Sequence, residues 1–288
     1  MSERYLHADT MIGKAATVRS LMPYRTLRAA FSVVLLAFLA STRAAEIKSV
    51  CDLEDAKGMG CTIVLSGEIK SGDAKKLRHV LTSNRKRTGS FRFLLLDSPG
   101  GDVAEALKIG ELVKSALLST TLTRLADLDN DDGGSSRQCV SACFLVLVAG
   151  GERIIHRGRL GVHRPYFDAA TYRAHTPLEI AKGQQRIEEE VRTFSRANGV
   201  SEHLIARMME HSSRQVYWLG SDEIQSIERE STWFQELLIA ACGWDHARHD
   251  RFFDEGAKAA SASDRAWVSK IYNCLSDQVE KAQVALAR

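Results

Sequence analysis

The sequence predicts an α/β domain with mainly parallel strand pairing over residues 46–233, followed by a helical extension over 234–288. Three observations carry this. Short apolar or β-branched runs alternate with segments whose apolar residues recur at helical spacing, the order expected of successive β-α units. The run Phe91–Asp97 is almost continuously apolar, as in a strand buried on both faces of a parallel sheet. Near the end, Trp267, Ile271, Leu275 and Val279 repeat every four residues, so one helix face is apolar and is expected to pack onto the main body.

Taken in order, Cys51–Gly60 reads as a turn-rich lead-in, Thr62–Ser66 as a strand and Asp73–Thr82 as an amphipathic helix. Ser98-Pro99-Gly100-Gly101 breaks the Phe91–Asp97 strand. Asp102 can then cap a helix, with Glu105 three places on, and Val103, Ala106, Leu107, Gly110 and Val113 follow at helical spacing. Thr120–Leu125 is the next expected strand, and Asp127–Gln138, rich in Asp, Gly and Ser, must be loop. Val140–Ala149 reads as a buried helix stopped by Gly150-Gly151. Short β segments are expected at Arg153-Ile154-Ile155 and Leu160–His163, then helices at Pro177–Ala197 and Ser201–Glu210. Val216–Leu219 is the last strand, with Ser221 capping another helix.

Composition narrows the function classes. The chain has 288 residues, 44% hydrophobic and 26% charged, with 20 Gly, 4 Pro and 6 Cys, which excludes a disordered tail, a collagen-like fibre and a disulfide-stapled mini-protein. The formal charge of +3 is unevenly placed: residues 1–45 hold six Lys/Arg against two acids, leaving 33 basic and 34 acidic side chains beyond. The folded part is nearly neutral and gives no support to nucleic-acid binding. Arg25 and Arg28 instead precede the uncharged run Ala29–Ala40, after which small residues including Thr42 and Ala44 suit a cleavage site. That is the pattern of a secretory signal. Twelve helical residues span about 18 Å, short of a roughly 30 Å hydrocarbon core. Residues 1–45 are therefore expected to be a signal peptide, with an N-terminal membrane anchor as the alternative, and the protein is expected in the periplasm or cell envelope. Such a compartment permits disulfides, and all six cysteines lie beyond the leader. Cys51 with Cys61 and Cys242 with Cys274 are the preferred local pairs.

Three motifs can carry chemistry. Gly100-Gly101, at a strand-to-helix turn, let the backbone approach a ligand and face its N–H groups outward, although most glycine turns only turn. Ser141, in Cys139-Val140-Ser141-Ala142-Cys143, enters an apolar helix from a polar loop. A serine there most often caps, but it can be a nucleophile whose following N–H serves an oxyanion. His163, in Gly161-Val162-His163-Arg164-Pro165, ends a strand 22 residues later and has the most constrained surroundings of the nine histidines.

In this order, Leu95-Leu96-Asp97-Ser98-Pro99-Gly100-Gly101-Asp102-Val103, Ser141, then Gly151-Glu152-Arg153-Ile154 and Gly161–Pro165 resemble the proteolytic subunit of Clp protease (ClpP). They also resemble related periplasmic proteins of the ClpP/crotonase superfamily, over roughly residues 60–230. The resemblance implies stacked β-β-α units, a serine nucleophile at Ser141, a general base at His163 and an oxyanion hole at the N–H groups of Gly101 and Ala142. Gly100 and Asp102 fall with the substrate-binding turn. It implies peptide or protein substrates and, through the long helix at 177–197, a homo-oligomer. Imidazole beside serine is chemically apt, because serine is a poor nucleophile at neutral pH without a base. No cofactor or phosphate-loop motif is found.

One departure matters. ClpP-like enzymes carry an aspartate before the last strand and helix, where this chain offers Ser212 or Val216 and, across 211–215, no carboxylate. Either another group orients His163, or the chain is a weak enzyme or a non-catalytic relative that binds peptides or partner subunits. A crotonase-type acyl-thioester enzyme is a third reading, against which the Ser and His positions argue. Cys139 and Cys143 can pair only if Cys139 lies outside the helix, and such a bond would lock the turn presenting Ser141. With His163 they lack a fourth ligand for zinc. Lys182–Arg192 reads as a solvated helix face, His246 and His249 as surface residues, and Trp218, Trp233, Trp244 and Trp267 as packing anchors with partnered indole N–H groups.

Overall fold

Residues 44–51, 61–83, 89–123, 137–156, 158–228, 230–254 and 260–287 are described by the computed structural model. The leader before Ala44, residues 52–60 of the lead-in and 127–136 of the polar loop lie outside the described residues. Among the described residues no helix is long and apolar enough to cross a membrane.

The strands are β1 (Glu46–Val50), β2 (Thr62–Ser66), β3 (Phe93–Asp97), β4 (Ser119–Thr121), β5 (Gln138–Val140), β6 (Arg153–Ile154), β7 (Arg159–Val162) and β8 (Tyr217–Trp218). One sheet has the order β1-β2-β3-β4-β6, parallel except for β1; a smaller one has the order β5-β7-β8, with β5 and β7 parallel. The α/β class and the mainly parallel pairing are thus as expected. In β3, successive side chains point to opposite faces, and Phe93, Leu94, Leu95 and Leu96 are all buried. Both faces of this strand are covered, which is why its sequence shows no alternation.

The helices α1 (Asp73–Thr82), α2 (Val103–Ser115) and α3 (Ala142–Val148) build the core around it. All seven residues of α3 are buried, so its lack of a polar face reflects a central position. Then come α4 (Ala169–Ala174), α5 (Pro177–Ala197), α6 (Glu202–Glu210) and α7 (Ser221–Ile227), and finally α8 (Thr232–Cys242), α9 (His246–Asp254) and α10 (Ala262–Leu286). Thr176 starts α5 with a capping box: its hydroxyl accepts from Glu179 N–H, and Glu179 accepts from Thr176 N–H at 2.8 Å.

Several expectations are corrected. The helix read at Val140–Ala149 begins at Ala142, and Gln138–Val140 form β5, because Val140 N–H is taken by Ser98 O at 3.0 Å and Cys139 pairs with Leu160. Of the strand read at Thr120–Leu125, Arg124 and Leu125 lie outside the described residues, and the described part is strand only to Thr121, whose hydroxyl donates to Thr123 O at 2.6 Å and accepts from Thr123 N–H at 3.0 Å, a local turn that competes with the ladder. Gly220, not Ser221, occupies the cap of α7, its N–H donating to Glu223 at 3.0 Å. Ile271, Leu275 and Val279 pack chiefly with Phe234, Leu238, Cys242 and Trp244 in a cluster of their own. A link to the main body is Gln283, fully buried, which accepts from Phe91 N–H and donates to Phe91 O and Ala116 O, and a second is Leu286, which packs on the main core and whose O accepts from Arg78. Trp218 is 39% exposed with Arg159 4.0 Å over its ring, and Trp233 Nε1 is buried without a partner. β1 and α4 give no apolar signal and were not anticipated; β1 shows mostly exposed residues.

Glu105 does not complete the box expected with Asp102. Asp102 accepts from Glu105 N–H at 3.0 Å, but the buried Glu105 carboxylate reaches across to α1 and accepts from Gly72 N–H at 3.0 Å and Ala74 N–H at 2.9 Å. Burial pushes its pKa up, yet these amides and Lys108 outweigh that and hold it below the usual glutamate value. A depressed folded-state pKa stabilises above the ordinary carboxylate range and loses its contribution as pH falls through the depressed value. Glu105→Gln should therefore cost about 1–3 kcal/mol at neutral pH. Urea titrations should show that gap closing as the pH drops below the glutamate range.

Candidate active site

Three strand ends meet at one place. β3 continues past Asp97 so that Ser98 N–H donates to Gln138 O at 2.8 Å and Ser98 O receives Val140 N–H, a parallel bridge onto β5. On its other side β5 pairs with β7, Val140 opposite Gly161. β3, β5 and β7 thus run side by side, and their C-terminal ends carry Gly100-Gly101, Ser141 and His163. Ligands in parallel α/β sheets collect at that end of the strands.

Ser141 has φ 57° and ψ −122°, and Leu117 is the only other non-glycine residue with positive φ among the described residues. Such a conformation costs on the order of 1–3 kcal/mol and persists only where the surroundings dictate it. Here Ser141 N–H donates to Gly161 O at 2.8 Å and Ser141 O accepts from Phe144 N–H at 2.9 Å. Although the residue precedes α3, its side chain makes no capping bond. Ser141 is on the wall of a cleft of about 440 Å³.

The two glycines are required by close approach. At Gly100 (φ 98°) a Cβ would lie 2.6 Å from Val140 O, 2.8 Å from Ser141 Cβ and 3.0 Å from Ala142 N; at Gly101 (φ 137°) it would lie 2.1 Å from Ile69 O. The turn is pressed between Ile69 and the Ser141 backbone. Gly100 O accepts from Ile69 N–H at 2.7 Å and Asp102 N–H donates to Ile69 O at 2.9 Å. Gly101 N–H, between them, has no acceptor among the described residues. Ala142 N–H, the first of α3, has none either, as helix geometry dictates for a first turn. Gly100 is buried behind the turn, while Gly101 and the exposed Asp102 line the cleft.

His163 is 8% exposed and stands two residues beyond the Gly161 that receives Ser141 N–H. Its Nδ1 is 2.9 Å from Arg164 O. A carbonyl only accepts, so Nδ1 carries a proton, and in the neutral form of the ring the free lone pair is on Nε2. Tyr166 lies against the ring at 5.7 Å between centroids. Arg164 N–H donates to His211 O at 2.9 Å, laying the segment 211–215 alongside, and that segment brings no carboxylate. No hydrogen bond joins Ser141 Oγ to His163 among the described residues.

The cleft adds residues that the sequence reading did not single out. Glu68, Ile69 and Lys70 form one wall, with Lys70 Nζ 3.2 Å from Glu68. Pro165, Tyr166, Phe167 and Asp168 form another, Asp168 capping α4 by accepting from Thr171 N–H at 2.7 Å. That bond holds the Asp168 carboxyl below its usual range. Position directly after His163 was the available signal for the second wall; nothing local marks the first. A larger groove of about 1100 Å³, between α2 and α5, is rimmed by Lys182, Arg186, Glu189 and Glu190 and holds none of the candidate residues.

The described cysteines form three disulfides, Cys51–Cys61, Cys139–Cys143 and Cys242–Cys274. Cys139 lies in β5, outside α3, which is the condition for its bond to Cys143. His246 and His249 lie against Trp244, and no group of three metal-ligating side chains occurs among the described residues.

No protein-family model matches the sequence, and no curated protein does. Among solved structures the chain is similar to ClpP1 from Listeria monocytogenes, with 17% identity, 57% of this chain and 85% of that chain covered, and a TM-score of 0.40. A point mutant of the same protein gives 17% identity, the same coverage and a TM-score of 0.41.

Proposed function

We propose that this chain is an exported serine hydrolase acting on peptide bonds, with Ser141 as nucleophile and His163 Nε2 as general base. The observation that carries the reading is the Ser141 turn. A non-glycine residue is held at positive φ, its hydroxyl is left out of helix capping, and two amides with no acceptor among the described residues accompany it, Ala142 N–H next in the chain and that of Gly101, which lines the same cleft. In the reaction, Ser141 Oγ attacks the scissile carbonyl while its proton passes to His163 Nε2. The N–H groups of Gly101 and Ala142 stabilise the tetrahedral oxyanion, each worth on the order of 3 kcal/mol in comparable sites. His163 returns the proton to the leaving amine, and water then releases the acyl group by the same steps. Arg164 O takes the orienting role of the missing carboxylate, selecting the tautomer that leaves Nε2 free.

The test is covalent labelling of the full chain by a fluorophosphonate, followed by mapping of the modified residue. Labelling should appear on Ser141 and vanish in Ser141→Ala; labelling that survives the substitution rejects this nucleophile. A second reading, a non-catalytic peptide-binding relative, draws on the absent Ser141–His163 hydrogen bond and the absent carboxylate. It requires an unlabelled wild type that still binds peptides in His163→Ala. Coenzyme A binding would instead favour the acyl-thioester reading.

Export is supported by the complete pairing of the cysteines and by the basic, then apolar, leader. The envelope is the compartment proposed, with membrane anchoring through the N-terminus if the leader is retained. Self-assembly through α5 belongs to the same proposal, supported by the 64% exposure of Leu178 on that helix.

A further inference from the structure

The three disulfides are not alike. They join residues 10, 4 and 32 positions apart, and loop-closure entropy makes the bridge across the shortest loop the weakest staple for the chain as a whole. That bridge, Cys139–Cys143, has Ser141 at its centre. Both cysteines are fully buried. Cys139 is held in the sheet, opposite Leu160 on one side and bridged to Ser98 on the other. Cys143 is the second residue of α3, a helix buried along its whole length. The bond therefore ties a fixed strand end to a fixed helix start and leaves only Val140, Ser141 and Ala142 between them. Within that ring lies the strained serine and one of its two acceptor-free amides. Backbone bonds hold the turn at Ser141 N–H and Ser141 O, but neither constrains the step from Ser141 to Cys143 covalently.

We propose that the Cys139–Cys143 disulfide is a positioning element for Ser141, holding the hydroxyl and the Ala142 N–H in their reactive arrangement rather than holding the fold together. The inference rests on the reading of Ser141 as nucleophile. Without the bridge, the three-residue turn relaxes toward an unstrained conformation while the strand and helix remain.

The experiment compares wild type, Cys139→Ala/Cys143→Ala and, as control, Cys51→Ala/Cys61→Ala, all as full chains. It measures the second-order rate of fluorophosphonate labelling, kcat and KM on a fluorogenic peptide, and near-ultraviolet circular dichroism. In the 139/143 variant, labelling and kcat should fall by about 10²-fold, the cost of misplacing a reacting group by about 1 Å, with KM within about twofold. The 51/61 variant should label at the wild-type rate. A folded 139/143 variant labelling as fast as wild type overturns the proposal. If that variant does not fold, wild type reduced by a water-soluble phosphine is tested instead, with opening of the bridge verified by alkylation and mass spectrometry. Unchanged labelling in that species, or unfolding of both forms, likewise overturns it by showing the bridge to be inert or purely structural. A wild type that never labels is a separate result and removes the parent reading along with this one.

Discussion

Ser141→Ala should lower peptide hydrolysis by at least about 10²-fold, His163→Ala by a similar factor, and the double variant by no more than either alone, because nucleophile and base act as one unit. The floor follows from the missing acid. In well-characterised serine proteases the full constellation is worth about 2 × 10⁶ in kcat and loss of the carboxylate alone about 3 × 10⁴, which leaves about 10² for a bare pair. Arg164 O bonding His163 Nδ1 restores the tautomer but not the negative charge, so the real factor should exceed that floor. Steady-state kinetics on the three variants decide the matter. Equal KM across the series would identify transition-state loss rather than weakened binding, and additive losses would count against a Ser–His unit.

Gly101→Ala should be the most damaging single substitution in stability. Its added methyl carbon meets Ile69 O at 2.1 Å and Ile69 C and N at 2.9 Å, all backbone atoms that cannot swing aside. The conformation at φ 137° is hostile to any L side chain in addition. Strain at such a site costs on the order of 1–3 kcal/mol before the clash is counted. A loss of about 3 kcal/mol or more, seen as a fall in Tm of roughly 6–12 °C, is expected for a domain of this size. Whatever fraction folds should also lose about 10²–10³ in kcat, because the amide proposed to bind the oxyanion is displaced. By contrast Gly199→Ala, also at positive φ but with open space around it, should carry strain alone and leave turnover unchanged.

The legible parts of the fold were those whose signal is local. α1 announced itself by its amphipathic pattern, α5 by a long charged stretch that ends at Asn198-Gly199, and β3 by a run of apolar residues that only a doubly covered strand can carry. β5 was not legible. Gln138 reads as the end of the polar loop and Val140 as the start of the helix that follows, yet Gln138–Val140 become a strand because Ser98 and Leu160, 41 and 21 residues from Cys139, offer partners at the right height. The packing of α10 was half legible: its apolar face was evident, but not that Phe234 and Trp244 rather than the main core would receive it.

The site divides the same way. Local residue chemistry singled out the Gly100-Gly101 turn, Ser141 with the N–H that follows it, and His163, since strand ends, glycine turns and a helix start are properties of a few consecutive residues; the family resemblance implied the oxyanion role of Gly101 and Ala142 and put Gly100 and Asp102 in the substrate-binding turn. It also limited Cys139 and Cys143 to pairing only if the helix began after Cys139. Tertiary structure alone decided that the three strand ends are neighbours, that Ser141 adopts positive φ, that Arg164 O selects the His163 tautomer, and that Glu68 and Lys70 line the same cleft as Tyr166 and Asp168. Each of these depends on register between segments far apart in the chain, and register is set by the summed pairing and burial of whole strands, which no short stretch of residues encodes.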